Sequence, residues 1–250
     1  FFLDLDVPYV FVSSAGTLQL EQEDVTDLLS CDLIAFDCEG AHLVQLATRS
    51  KAYLFFVAEP DVRREHGDLL RRVLLRTDVG EKDGGVLLGF ACSGDFTALA
   101  DAYPNEPAFA FDRVDRETTR TREDGRRGVA NRARGMVDVQ SAWENLLRRR
   151  YPDLGKRAAK GRLGLSSVCL DVLGAPLCKA NQRAMWRNPD PSTYTHGMLV
   201  YAALDARCLV RIVEACPEIL SAAREHADSR EEDSRYVVRK CERFDRSALE

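Results

Sequence analysis

The chain holds no apolar run of about 18 residues, the length a membrane-crossing helix needs. It has only 4 histidines, and none is paired at ligand spacing, so a histidine-built zinc site has nothing to start from. The 8 cysteines (Cys31, Cys38, Cys92, Cys169, Cys178, Cys208, Cys216 and Cys241) include no Cys-x-x-Cys pair and no regular spacing. Several fall inside apolar runs, where a reduced thiol packs as a small hydrophobe. They read as reduced thiols of an intracellular protein rather than a disulfide framework. Excess positive charge is missing too: the formal net charge is -5. That argues against a surface coated for nucleic acid, while leaving room for a local basic groove at a strand end. The chain opens on Phe1-Phe2 rather than Met, without a leader-like pattern, and reads as a piece of a longer product. No internal repeat is visible.

What is present is enough for one α/β domain with an ordinary core, in 250 residues that are 45% hydrophobic. Residues 7–12 read as a strand, followed by a helix of about ten residues ending near Ser30. Residues 33–39, 43–47 and 52–57 read as three strands joined by short turns, hence antiparallel neighbours. A helix carrying Leu69, Leu70, Val73 and Leu74 follows, then a buried strand at 86–90 and a helix over 95–103. Residues 112–134 hold 8 arginines and 5 acids with almost nothing apolar, the pattern of a mobile insertion loop. Order resumes at Met136-Val137-Asp138-Val139, followed by a helix through Trp143, Leu146 and Leu147. A short helix at 165–173 ends on Gly174, and a long one runs over 192–215. Beyond Pro217 the chain is charge-rich. The expectation is a mixed β-sheet flanked by helices, with a main domain over 1–216 and a charged extension over 217–250.

Asp37 and Glu39 stand at i and i+2 at the end of the apolar run Leu33-Ile34-Ala35-Phe36. A strand alternates its side chains, so both acids share one face and Cys38 takes the other. Tyr201 and Asp205 stand at i and i+4 on one helix face. Asp95 follows the strand at 86–90. Four carboxylates offer hard oxygen ligands to two divalent cations, Mg²⁺ or Mn²⁺, with a phenol beside them. Without cations such clustering raises one acid's pKa against the next.

Three motifs in this order resemble the DEDD superfamily of 3′-to-5′ exonucleases, which have an RNase H-like fold. They are Phe36-Asp37-Cys38-Glu39 with Leu43-Val44-Gln45-Leu46-Ala47-Thr48, then Leu88-Gly89-Phe90 leading to Asp95, then Tyr201-Ala202-Ala203-Leu204-Asp205-Ala206. The tyrosine is similar to that of the branch holding ribonuclease D, the Werner-type exonuclease domain and the Mut-seven-like proteins. The linking residues Gly164-Leu165-Ser166-Ser167, Val172-Leu173-Gly174, Lys179, Gln182 and Trp186 look most like the Mut-seven-like group. The resemblance covers residues 7–215. It implies two-metal phosphodiester hydrolysis at a free 3′ end, releasing nucleoside 5′-monophosphates from RNA or DNA, with a lean to RNA. Asp37 would bridge both ions, Glu39 and Asp205 would hold the water-activating ion, and Asp95 would serve the second. Tyr201 would orient the nucleophile. Gly40, His42, Lys179 and Gln182 fall where the family meets its substrate. Two departures stand out: Gly40 replaces the usual aromatic residue or Thr after the second acid, and the following hairpin is short.

Blander readings accompany several of these residues. Asp95 is also placed to cap its helix. His196 reads as a surface histidine and Trp186 as packing. Residues 148–162, with 7 basic residues against 1 acid, read either as a solvated face or as a nucleic-acid track. The rival to the enzyme is an exonuclease-like module that binds nucleic acid or a protein without cutting.

Overall fold

The computed structural model describes residues 3, 7–75, 85–115, 129–132, 136–151, 163–182 and 184–223. Its centre is a six-stranded mixed sheet in the order β1-β4-β3-β2-β5-β8. The strands are β1 (Tyr9–Val12), β2 (Leu33–Glu39), β3 (Leu43–Ala47), β4 (Ala52–Phe56), β5 (Val86–Gly89) and β8 (Met136–Asp138). As the spacing of turns predicts, β2, β3 and β4 form an antiparallel meander. The edges differ: β1 runs parallel to β4, and β5 and β8 continue parallel from β2.

Both faces of the sheet are covered, which is why β4 reads as an unbroken apolar run and β3 as one interrupted only by Gln45, rather than as alternating strands. One face carries Ile34, Phe36, Val44, Leu46, Tyr53 and Phe55. It packs on α1 (Gln22–Ser30), α2 (Pro60–Leu75) and α3 (Ser93–Ala102). The opposite face carries Leu33, Ala35, Leu43, Leu54 and Phe56. It packs on α4 (Val139–Arg150), α5 (Leu165–Leu173) and α6 (His196–Ala215). Buried Ala202, Ala203 and Ala206 on α6 have almost no side chain to hold the helix off the strands. The Thr195 hydroxyl caps that helix by accepting from the Met198 N–H at 3.3 Å.

Several expectations shift in the structure. The long helix starts at His196, because Pro191–Thr193 forms a separate 3₁₀ turn capped by Asp190. The flanks of the arginine-rich insertion are not loop: β6 (Asp112–Asp115) pairs antiparallel with β7 (Val129–Arg132) as a ribbon. Residues 116–128 and 133–135, where the expected mobility centres, lie outside the described residues, as do 152–162 and 224–250. Past Pro217 the chain does not turn solvated at once, since Ile219, Leu220 and Ala222 are buried in the core. The seven cysteines among the described residues form no disulfide. No helix among the described residues is long and apolar enough to cross a membrane.

Candidate active site

The alternation along β2 puts Asp37 and Glu39 on the face covered by α6, and Cys38 on the other, where it joins the α2–α3 core. On α6, Asp205 is 5% exposed and Tyr201 6%, and the Tyr201 hydroxyl is hydrogen-bonded to the Asp205 carboxyl. Asp95 arrives from the other layer. β5 runs parallel beside β2, and the chain turns sharply after Gly89, where a Cβ would lie 2.3 Å from the Cys92 sulfur. Ala91 takes φ 55° in that turn and donates its N–H to Asp138 Oδ1 at 3.1 Å. The Asp138 carboxylate also accepts from Gln140 N at 3.1 Å, which ties the turn to the start of α4. Asp95 thus falls in the first turn of α3, at the end of the sheet where β2 finishes. Its helix has Cys92 at the cap position and no side-chain cap, so capping does not account for Asp95.

Asp37 acts on the other three acids. Burial, then Asp37, Asp205 and Asp95, push Glu39 up from 4.5 to about 9. Burial and then Asp37 raise Asp205 to about 8, against the Tyr201 hydrogen bond and the Lys179 ammonium, which pull it down. Asp95 rises to about 7 through burial and Asp37. Asp37 rises to about 6 through burial, eased by the Cys38 N–H. Burial, then Asp205, move the Tyr201 phenol up as well, so it keeps its proton at neutral pH. Among the described residues no three His, Cys, Asp or Glu side chains stand close enough together to hold an ion as they lie. The donor set is nonetheless one of hard carboxylate oxygens under mutual repulsion, which suits hard divalent cations and which such cations would relieve.

The remaining sequence candidates divide. Gly40 and Ala41 both adopt left-handed backbone, at φ 62° and 61°, and the His42 N–H donates to the Glu39 carbonyl at 3.1 Å. That is a type I′ hairpin turn, and it explains the glycine where an aromatic residue or Thr was anticipated. A Cβ on Gly40 would meet Arg187 Cγ at 3.3 Å. His42 is half-buried with Nδ1 unpartnered, its ring edge-on to Phe56. Lys179 is exposed and near enough to act on Asp205, while Gln182 is exposed, its backbone N–H donating to the Lys179 carbonyl at 3.1 Å. His196 is exposed, its Nδ1 bonded to the Tyr9 hydroxyl at 2.8 Å. Trp186 is packing: its indole donates to the Asn181 carbonyl and its ring lies 6.1 Å from that of Tyr201.

Two features went unread in the sequence. A cleft of about 520 Å³ opens beside Glu39 and Gly40, walled by residues 184–188, with Met185 76% exposed on it. No sequence periodicity marks that segment, which is loop. Gln45, opposite Asp37 on β3, is 0% exposed with neither amide atom partnered among the described residues. An amide alone in an apolar strand was its only signal.

The layered fold is found in solved exonuclease domains. The EXO domain of Nibbler from Aedes aegypti superposes with a TM-score of 0.56 at 24% identity, over 88% of this chain and 93% of that one. RNase D from Trypanosoma brucei, solved in complex with RNA U12, gives 0.52 at 21% identity, over 91% and 70%. The catalytic core of RRP6 from the same organism gives 0.54 at 18% identity, over 90% of this chain and 52% of that core, so the chain spans about half its length. No family profile and no curated protein sequence matches. The fold is that of the RNase H-like 3′-5′ exonuclease domains.

Proposed function

We propose that this chain is a metal-dependent 3′-5′ exonuclease that removes nucleoside 5′-monophosphates from the 3′ end of a single strand, preferring RNA. The observation that carries the reading is the gathering of four buried or half-buried carboxyls from β2, α3 and α6, in which Asp37 helps burial to raise Glu39, Asp95 and Asp205, a costly arrangement that folding alone has no use for. Asp37, Glu39, Asp95 and Asp205 would hold two divalent cations, Mg²⁺ or Mn²⁺. When bound, these supply Lewis acidity at the scissile phosphate and lower the pKa of water. The protonated Tyr201 phenol, anchored to Asp205, orients the nucleophile. The Lys179 ammonium offsets negative charge where the phosphate enters. The cleft beside Gly40, bordered by Arg187 and Met185, receives the terminal nucleotide. The left-handed Gly40–Ala41 turn keeps that mouth low. RNA is favoured because the linking segment is Mut-seven-like and a fold neighbour was solved with RNA.

The second reading, a module that binds without cutting, is favoured by one observation: among the described residues no three ligand groups are already in holding position. A 5′-labelled strand assay with RNA and DNA, in Mg²⁺, Mn²⁺ or EDTA, separates the two. The exonuclease shortens strands stepwise from the 3′ end in metal only, and Asp37→Ala slows this on the order of a thousandfold. Binding without shortening, or Asp37→Ala cutting like the wild type, overturns the proposal.

A further inference from the structure

Gln45 is the most deeply buried amide of the sheet, and it has no visible reason to be there. It is 0% exposed at the centre of β3, between Val44 and Leu46, and neither Oε1 nor Nε2 has a protein partner among the described residues. Such a group weakens the fold relative to an apolar side chain of the same shape, so its presence calls for an explanation outside packing. Position supplies one. Antiparallel pairing sets Gln45 directly opposite Asp37, with Leu54 opposite on its other side. Directly paired residues share a face, and their Cβ atoms stand about 4.5–5.5 Å apart. A glutamine amide spans that gap. The shared face is the one under α6, which carries Asp205.

We propose that Gln45 is the positioning residue of the acidic cluster: its Nε2–H donates to the ionised Asp37 carboxylate across the strand pair and fixes the rotamer that presents Asp37's other oxygen to the cations. Gln45 touches neither substrate nor metal and acts only through Asp37. The amide stands unpartnered until Asp37 turns toward the cations, and its cost to the fold is recovered on metal binding. The inference rests on the four acids being a metal centre. It adds a residue whose removal strengthens the metal-free fold and weakens the site.

The test uses Gln45→Met and Gln45→Leu, two apolar replacements of similar volume, with Gln45→Asn as the shortened amide. Thermal melting in EDTA and calorimetric titration with Mn²⁺ are run on each, beside kcat and KM on a labelled RNA strand. Expected are melting temperatures at or above wild type for the Met and Leu variants, with Mn²⁺ dissociation constants raised 10–100-fold. Their kcat falls with KM for the strand unchanged, and the Asn variant recovers part of the Mn²⁺ affinity. Mn²⁺ affinity within twofold of wild type in the Met and Leu variants overturns the inference while leaving the exonuclease reading intact. Melting temperatures lowered in both variants also overturn it, because the amide then serves the fold. If the wild type binds no Mn²⁺, the metal-centre reading falls and this inference with it.

Discussion

Asp205→Asn separates the electrostatic cost of the acidic cluster from its use. Asp205 is 5% exposed, and burial followed by the facing Asp37 carries its carboxyl from 3.8 to about 8. An acid that holds its proton more tightly in the folded chain contributes stability that is whole below the unfolded value. That stability drains away as pH rises through the folded one. Metal-free protein should therefore weaken steadily up to about pH 8, with Glu39 extending the decline to about 9. Asparagine has neither a charge to repel nor a proton to lose. Half of Asp205's rise corresponds to about 3 kcal/mol. At about 2–4 °C per kcal/mol for a domain of this size, that is about 6–12 °C in Tm. Thermal melts in EDTA should show the variant gaining that much on the wild type between pH 5 and pH 9. Millimolar Mn²⁺ at pH 9 should then raise the wild-type Tm and leave the variant nearly unmoved, since a cation binding only the folded form adds about 2.7 kcal/mol at a hundred times its Kd. Parallel Tm-against-pH curves for the two proteins would refute the reasoning, because the carboxyls would then not be opposing one another.

Two more outcomes follow from local geometry. Ala41→Gly relieves a left-handed alanine at φ 61° and should stabilise the domain by about 1 kcal/mol, read as a shift in the urea midpoint at constant slope. Tyr201→Phe removes the hydroxyl bonded to Asp205 and should lower kcat about a hundredfold, with Mn²⁺ affinity held within a few-fold in calorimetry.

Legibility in the sequence followed the physics of each element. The limits of β2 and β3 were readable because apolar runs bounded by short polar turns leave little choice of register, and the face shared by Asp37 and Glu39 came from pleat alone. The Tyr201–Asp205 pair was equally plain from helical spacing. The existence of a short turn after Glu39 was readable, but its left-handed conformation was not, because Gly40-Ala41 lacks the Asn-Gly or Asp-Gly signature of a type I′ turn. The ribbon closing the arginine-rich insertion escaped because Asp112–Asp115 and Val129–Arg132 carry charge where strands usually carry apolar residues. The burial of Ile219 and Leu220 was masked by the charged composition that follows them. Gln45 was visible as a residue, but its isolation is a property of three dimensions: the pairing of β3 between β2 and β4 buries the amide with no partner among the described residues.

Crystals grown with Mn²⁺ and measured at its absorption edge test the metal centre most directly. Two anomalous peaks about 4 Å apart, ringed by Asp37, Glu39, Asp95 and Asp205, are the expected result. A cluster with no peak, its four carboxyls left apart at saturating Mn²⁺, would contradict it.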